Sequence, residues 1–344
     1  MRLSYKHSPP LLLSFLCLLG FVSAAQALTK HGASNKKISA LLVFGDSTVD
    51  PGNNNYVGTA FKSNFPPYGR EFLNQIPTGR FTDGRLPTDF VASYVGVKEY
   101  VPPYLDPTLS ILELMTGVSF ASAGTGFDPL TPTISGVIPI PKQLEYFRQY
   151  KRRLESAIGK RRTEDHIKNA LFFISAGTND FVLNYFTLPI RRQTYTVSSY
   201  QQFVLQLFKE FIQGLWDEGA RKIMVPGLGP IGCLPIVITL NSNNANLQRG
   251  CVEEYSSVAR GFNLKLQQEL NFMQLSLANQ GFDEVNVGCC GTGYLEASFL
   301  CNPKSYVCPD VSKYIFWDSV HPTEKVYRNL FQASRPVIDI LVNS

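Results

Sequence analysis

The chain has 344 residues, 44% hydrophobic and 17% charged, with a formal net charge of +5. That size allows one large α/β core or two smaller ones, and no repeat or low-complexity block divides it. Arg2 and Lys6 fall in an expected leader; without them the basic side chains nearly balance the acidic ones, which argues against a nucleic-acid partner and against strong electrostatic binding to anionic membranes.

Residues 1–27 carry those two cations, an apolar run over 11–22, and small residues ending in Ala25-Gln26-Ala27. This is the layout of a secretory signal peptide with an A-x-A cleavage site, too short for a membrane span. No second long apolar stretch follows, so the expectation is a single exported domain over 28–344 with no transmembrane segment. The sequence contains no Asn-x-Ser/Thr acceptor for N-glycosylation.

The first predicted strand, 40–44, is a continuous apolar run that leads into Phe44-Gly45-Asp46-Ser47. Gly-Asp-Ser after a strand can simply cap a following helix. A serine at a helix N-terminus also presents its hydroxyl where backbone N–H groups can stabilise an oxyanion, so the functional reading needs the same geometry. Asp46 is read as structural, tying down the turn.

The Pro-, Gly- and Asn-rich region 51–87 lacks periodicity and is expected as irregular surface structure beside the site. The small-residue run Gly117-Val118-Ser119-Phe120-Ala121-Ser122-Ala123-Gly124-Thr125-Gly126 suits a loop or tight packing, and Gly124 could offer an unobstructed N–H. Leu144, Phe147, Leu154 and Ile158 recur at helical spacing.

A second strand, 170–174, runs into Gly177-Thr178-Asn179-Asp180. Asn179 is either a turn residue or an uncharged side-chain donor, and Asp180 could be a helix cap. A helix over 200–217, stopped by Gly219, precedes a third strand at 222–225. Gly227-Leu228-Gly229-Pro230-Ile231-Gly232 then reads as a dinucleotide fingerprint. Pro230 and Pro235 disturb the helix that should receive a pyrophosphate, and no second βαβ strand with an acidic end follows, so nucleotide binding is set aside and no cofactor is expected.

Val258, Phe262, Leu266, Leu270, Met273 and Leu277 continue the helical spacing. Six cysteines remain beyond Cys17 of the leader. In an exported chain an even number favours disulfides, with Cys233–Cys251 preferred and Cys289 and Cys290 shared between Cys301 and Cys308. Zinc is disfavoured because Cys289 and Cys290 are adjacent and no CxxC pair exists, so no metal is expected.

Histidine is sorted by elimination. His7 leaves with the leader, His31 lies in a polar segment, and His166 stands in a charged approach where a solvated position is expected. His321 remains, with Asp318 three residues before it, able to accept the Nδ1 proton and leave Nε2 as a base. Pro322 restricts His321 to extended backbone. A last helix begins near Thr323, and Pro336 should bend or break it. Ser47, His321 and Asp318, with Asn179, supply the parts of serine acyl transfer, and strands alternating with helices imply a doubly wound parallel sheet with Ser47 and Asn179 at its carboxyl ends.

The motifs Phe44-Gly45-Asp46-Ser47-Thr48-Val49-Asp50-Pro51-Gly52-Asn53-Asn54, Pro77-Thr78-Gly79-Arg80-Phe81-Thr82-Asp83-Gly84, Gly177-Thr178-Asn179-Asp180 and Phe316-Trp317-Asp318-Ser319-Val320-His321-Pro322-Thr323-Glu324 make the chain resemble a plant GDSL-type esterase/lipase of the SGNH hydrolase superfamily. The resemblance implies a three-layer α/β/α flavodoxin-like fold and an extracellular, cofactor-free and metal-free hydrolase. It implies Ser47 as nucleophile, His321 as base, Asp318 as its orienter, and the Ser47 N–H, Gly124 and Asn179 as oxyanion donors.

The expected substrate is a small or polymeric ester, and the protein is expected to be a monomer. Two other functions use the same scaffold: a lipid- or wall-binding protein without meaningful turnover, and an extracellular acyltransferase. Thr48 replaces the leucine of the family name. Relatives usually carry a fifth strand and loop where only 277–280 stand here, which would expose a strand edge and could shift the Asp318/His321 loop.

Overall fold

The computed structural model describes residues 16–22, 38–188, 190–243, 249–267, 270–276 and 284–343. Its strands are β1 (Leu16–Val22), β2 (Leu41–Gly45), β3 (Leu171–Ser175), β4 (Lys222–Met224), β5 (Leu270–Ser276), β6 (Glu284–Gly288) and β7 (Tyr314–Phe316). Its α-helices are α1 (Pro87–Tyr94), α2 (Ile111–Met115), α3 (Leu130–Ser135), α4 (Ile140–Ile158), α5 (Lys160–Asn169), α6 (Val197–Asp217), α7 (Pro235–Asn241), α8 (Glu253–Gln267) and α9 (Glu324–Asn343).

β2, β3 and β4 form a parallel sheet in that order. Each is a short apolar run because both faces are covered. Leu42, Phe44, Phe172, Ile174 and Ile223 point into one core with Phe147 of α4, Phe208 of α6 and Phe262 of α8. Leu41, Val43, Leu171, Phe173 and Met224 point the other way, onto Val91 of α1 and Ile338 of α9. The period of two along each strand thus produces an α/β/α layering.

The small-residue run lies along the free edge of β2. Val43 N–H donates to Val118 O at 3.0 Å, and Phe120 and Ser122 N–H donate to Val43 O and Gly45 O at 2.7 and 2.9 Å. The chain therefore leaves β2 with a neighbour on each side. In a parallel sheet such a switch of direction opens a crevice at the carboxyl ends of the strands, and Ser47 follows β2 directly.

One helical expectation differs from the structure. The spacing from Val258 onward holds only to Gln267; Leu270 and Met273 belong to β5, and Leu277 lies outside the described residues. β5 pairs antiparallel with β1, where ladder bonds replace the helical ones that the apolar spacing alone suggested. Pro336, expected to bend or break the last helix, lies inside α9, which runs on to Asn343. The charged 160–169 segment, for which no element was expected, is a helix with Thr163 and Ile167 buried.

β1 falls inside the expected leader, so its pairing belongs to the chain before any removal of 1–27. Among the described residues no strand extends the parallel sheet beyond β4, and the short interval 277–280 lies outside them. The expected disulfides form as Cys233–Cys251, Cys289–Cys308 and Cys290–Cys301. No helix among the described residues is long and apolar enough to cross a membrane.

Candidate active site

Gly45 ends β2 with φ +138°, and a Cβ there would overlap the Ser175 carbonyl of β3. Gln143 of α4 seals this peptide from both sides, accepting from Gly45 N–H and donating to Gly45 O, each at 2.9 Å. Asp46 then turns the chain: its Oδ1 accepts from the Thr48 N–H and hydroxyl at 3.0 and 2.8 Å. The structural role expected of Asp46 is thereby accounted for, and Thr48 has a task of its own, reaching Ser175 Oγ at 2.8 Å.

Ser47 sits on this turn, buried, and not at a helix N-terminus as expected. Asp50 is the reason: its Oδ1 accepts from Gly52 and Asn53 N–H at 2.8 and 2.7 Å, which commits the backbone to a turn leading only into a short 3-10 segment, Asn53–Tyr56. No helix dipole acts on Ser47, and any oxyanion stabilisation must come from individual N–H groups.

The same 50–54 stretch fixes the opposite wall. Asp50 Oδ2 accepts from Ala123 N–H at 2.9 Å, Asn53 Nδ2 donates to Ser119 O and Ala121 O at 2.8 and 2.9 Å, and Asn54 Nδ2 donates to Ala123 O at 2.9 Å. These bonds hold the turn that carries Gly124. Gly124 has φ +86°, and a Cβ would press on Phe61 and Ser135 at 3.2 Å. Among the described residues neither the Ser47 N–H nor the Gly124 N–H donates to another group.

Asn179 follows β3 and enters an unusual π-helical segment, Asp180–Thr187, of the kind that often marks functional sites. Its Nδ2 donates to Thr125 O at 2.8 Å, which links it to the Gly124 turn and leaves one amide hydrogen for a ligand. Asp180 is not a cap. It is fully buried and accepts from the Phe127 and Asp128 N–H groups at 2.9 and 3.1 Å, and burial pushes its carboxyl up to about 7.

After β7 the chain makes a tight turn. Asp318 Oδ1 accepts from the Val320 and His321 N–H groups at 2.8 and 2.7 Å. His321 Nδ1 lies 2.9 and 2.8 Å from the two Asp318 oxygens. A carboxylate only accepts, so Nδ1 carries the proton and Nε2 is left as the acceptor. Pro322 forms an isolated antiparallel bridge with Phe316, and the Phe81 ring packs 4.7 Å from the imidazole. His166 is half-buried, not solvated, and burial lowers its pKa; His31 lies outside the described residues.

Ser47, Asn179 and His321 line one cavity of about 180 Å³ together with Asp46 and Tyr327. Gly124 is not in its wall and joins the site through Thr125. No hydrogen bond among the described residues connects Ser47 to His321, a contact that often tightens only with substrate present. Burial raises the Asp46 carboxyl to about 6, and Asp46, Ser47 and His321 face the same cavity. The glycine-rich decoy also reaches the cavity: Gly227, Gly229, Pro230 and Ile231 are in its wall, and the 3-10 turn Ile231–Cys233 stands where a dinucleotide site needs a helix.

Sequence reasoning missed Tyr68. Its hydroxyl donates to Asp318 Oδ2 at 2.6 Å and accepts from the Ser298 N–H at 2.7 Å. It also missed Asp50, Asn53, Asn54 and Gln143 as supports; for Asn53 and Asn54 the one signal was the richness of 51–87 in turn-forming residues, a stretch that holds neither Asp50 nor Gln143.

A family model described as GDSL-like lipase/acylhydrolase matches residues 41–334. The chain belongs to this family. Among relatives from Arabidopsis thaliana, GDSL esterase/lipase At5g45960 is 61% identical over 330 residues, covering 89% of this chain and 88% of the relative. GDSL esterase/lipase At4g26790 is 43% identical over 335 residues, covering 91% and 93%, and GDSL esterase/lipase EXL3 is 40% identical over 338 residues, covering 92% of each. As a GDSL esterase/lipase the protein is a carboxylic ester hydrolase, and its parallel-sheet α/β architecture fits the family.

Proposed function

We propose that this GDSL protein is a secreted esterase that works through an acyl-enzyme on Ser47. The observation that carries the reading is the buried Asp318–His321 pair, oriented by four hydrogen-bond donors and opening onto the same cavity as Ser47. His321 Nε2 takes the Ser47 proton as Oγ attacks the ester carbonyl. The carbonyl oxygen becomes an oxyanion, held by the Ser47 and Gly124 N–H groups and the Asn179 amide. Collapse breaks the C–O bond to the alcohol, which leaves with the proton from His321. Water, deprotonated by His321, then attacks the acyl-Ser47 carbonyl, and the acid departs as Oγ regains its proton.

Secretion is supported by the leader-like 1–27 segment and by the three disulfides, which suit an oxidising compartment. A fluorophosphonate probe tests the mechanism: it should label the wild type, label nothing in Ser47→Ala, and block p-nitrophenyl ester hydrolysis. A wild-type protein that stays unlabelled would instead favour a binding role, and hydrolysis that survives in Ser47→Ala would remove Ser47 from the chemistry.

A further inference from the structure

Asn179 and Asp180 follow β3, and both reach across to the loop that carries Gly124. Asn179 Nδ2 donates to Thr125 O at 2.8 Å. Asp180 takes the next stretch: Oδ2 accepts from the Phe127 N–H at 2.9 Å, and Oδ1 accepts from the Asp128 N–H at 3.1 Å and from the Thr131 hydroxyl. Between these contacts lies Gly126, where a Cβ would stand 2.0 Å from Asp180 Oδ1. The loop is therefore pressed against the carboxyl group, with Asn179 and Asp180 gripping it on either side of Gly126.

A second layer holds the same loop. Asp128 accepts from Arg191 Nε and Nη2 at 2.7 and 2.6 Å, and the Tyr200 hydroxyl stands 2.9 Å from Asp128 Oδ2 and 3.2 Å from the Asp180 carbonyl oxygen. Asp128, Thr131 and Asp180 are fully buried, and a buried carboxyl group is tolerated only where donors meet it. The donors on Asp180 come from a stretch that belongs to no strand and, before Leu130, to no helix. Oxyanion donors act at full strength only when their places are fixed before charge develops. A donor on a loop, as Gly124 is, needs that fixing from elsewhere.

We propose that Asp180 is a positioning residue that sets the spacing of the two oxyanion donors contributed by Gly124 and Asn179. The inference rests on the esterase reading above and adds to it how the oxyanion site is held in shape. Asp180 touches no substrate atom and acts through the loop. Its carboxyl group fixes residues 127 and 128, Asn179 fixes Thr125, and the Gly124 N–H, one residue further back, is thereby set at a defined distance from the remaining Asn179 amide hydrogen. The Ser47 N–H is fixed separately, by the turn bonds of Asp46 and Asp50.

Asp180→Asn tests this, because the amide keeps the size of the carboxyl group and turns one of its acceptor atoms into a donor that faces other donors. A misplaced oxyanion donor should cost less than a deleted one, about 10-fold to 10²-fold in kcat on p-nitrophenyl acetate, with KM changed less than about twofold. Butylboronic acid, whose boron takes the Ser47 oxygen to form a tetrahedral anion, should lose affinity by the same factor as kcat. Amide hydrogen exchange over 123–131, followed by mass spectrometry, should quicken. Thr131→Val removes a single donor from Asp180 and should move the same readouts in the same direction, by about twofold to tenfold. Circular dichroism melting shows which variants fold, and either one suffices.

An unchanged kcat in a folded Asp180→Asn protein overturns the proposal and leaves the esterase intact. A reduced kcat with full boronate affinity also overturns it, because a loss that spares the tetrahedral adduct does not arise at the oxyanion site. Unchanged exchange over 123–131 overturns the grip on the loop whatever the activity does. Quickened exchange in Asp180→Asn, in a protein whose wild type hydrolyses no ester and resists the fluorophosphonate probe, upholds the grip and removes the esterase reading on which its catalytic use depends.

Discussion

Tyr68 and Asp318, 250 positions apart in the chain, meet through a buried hydrogen bond of 2.6 Å between the tyrosine hydroxyl and Oδ2. The same hydroxyl accepts from Ser298 N–H, so one side chain ties the carboxylate of the acid–base turn to the disulfide-linked loop beside it. Tyr68→Phe deletes both bonds while keeping the ring packing with Phe81 and Trp317. A bond to a charged group is worth about 1.5–3 kcal/mol, and kcat should fall about tenfold or more with KM little changed. An unaltered kcat would show that the Val320 and His321 N–H groups alone hold Asp318.

Asn179 donates one amide hydrogen to Thr125 O and has a second to offer. Asn179→Ala should lower kcat by about 10²-fold to 10³-fold, as the loss of a single oxyanion donor does elsewhere. Fluorophosphonate labelling of Ser47 should persist but slow. If kcat holds while KM rises, Asn179 binds the ground state and not the oxyanion.

Asn53 joins the turn after Ser47 to the wall that carries Gly124: it donates to Ser119 O and Ala121 O and accepts from Leu105 N–H at 3.1 Å. Asn53→Ala strands the buried Ala121 carbonyl and the half-buried Leu105 N–H, while Ser119 O keeps its bond from the Tyr104 N–H at 2.8 Å; each stranded group costs about 1–3 kcal/mol. Urea unfolding should show a loss of at least that size for one group. A midpoint equal to the wild type's would mean that the wall is held by Asp50 and Asn54 alone.

Stability should decline as pH rises from about 5 toward 7, within the window that the shifted groups define. Burial pushes the carboxyls of Asp46, Asp50 and Asp83 up to about 6 and that of Asp180 to about 7. A folded-state value above the unfolded one means that the native protein holds the proton more tightly. The stabilising contribution is complete below the unfolded value and is lost as pH climbs through the folded one. His166, lowered by burial, opposes this below its ordinary range, and the lowered carboxyls of Asp128, Glu218 and Glu296 oppose it at the acid end, so the decline is read from pH 5 upward. Denaturant midpoints at pH 5 and 7.5 should therefore fall, and fall less in Asp180→Asn. A rising midpoint would contradict the sign.

The candidate site residues were legible because each lies next to its own motif. Ser47 follows an apolar strand, and Asp318 is three residues from His321, so period and spacing located them without tertiary information. The supports were not legible. Tyr68, Gln143 and Asn53 act on partners between 66 and 250 positions away, and a polar residue in an aperiodic loop looks the same whether it meets solvent or a buried carbonyl. Two errors share a cause of the opposite kind. The helical spacing at Leu270 and Met273 and the helix expected after Ser47 are local signals, overridden by the β1 pairing and by the Asp50 turn.

The adjacent Cys289 and Cys290 reach out to Cys308 and Cys301, while their backbone N–H groups donate to Phe316 O and Trp317 O at 3.0 and 2.8 Å, immediately before Asp318. Thiol oxidation and assembly of the acid–base turn are thereby mechanically coupled. A copy with free thiols would lack the covalent brace beside the Phe316–Trp317 backbone that leads into the Asp318–His321 turn, so reduction should loosen that turn before it disturbs the parallel sheet.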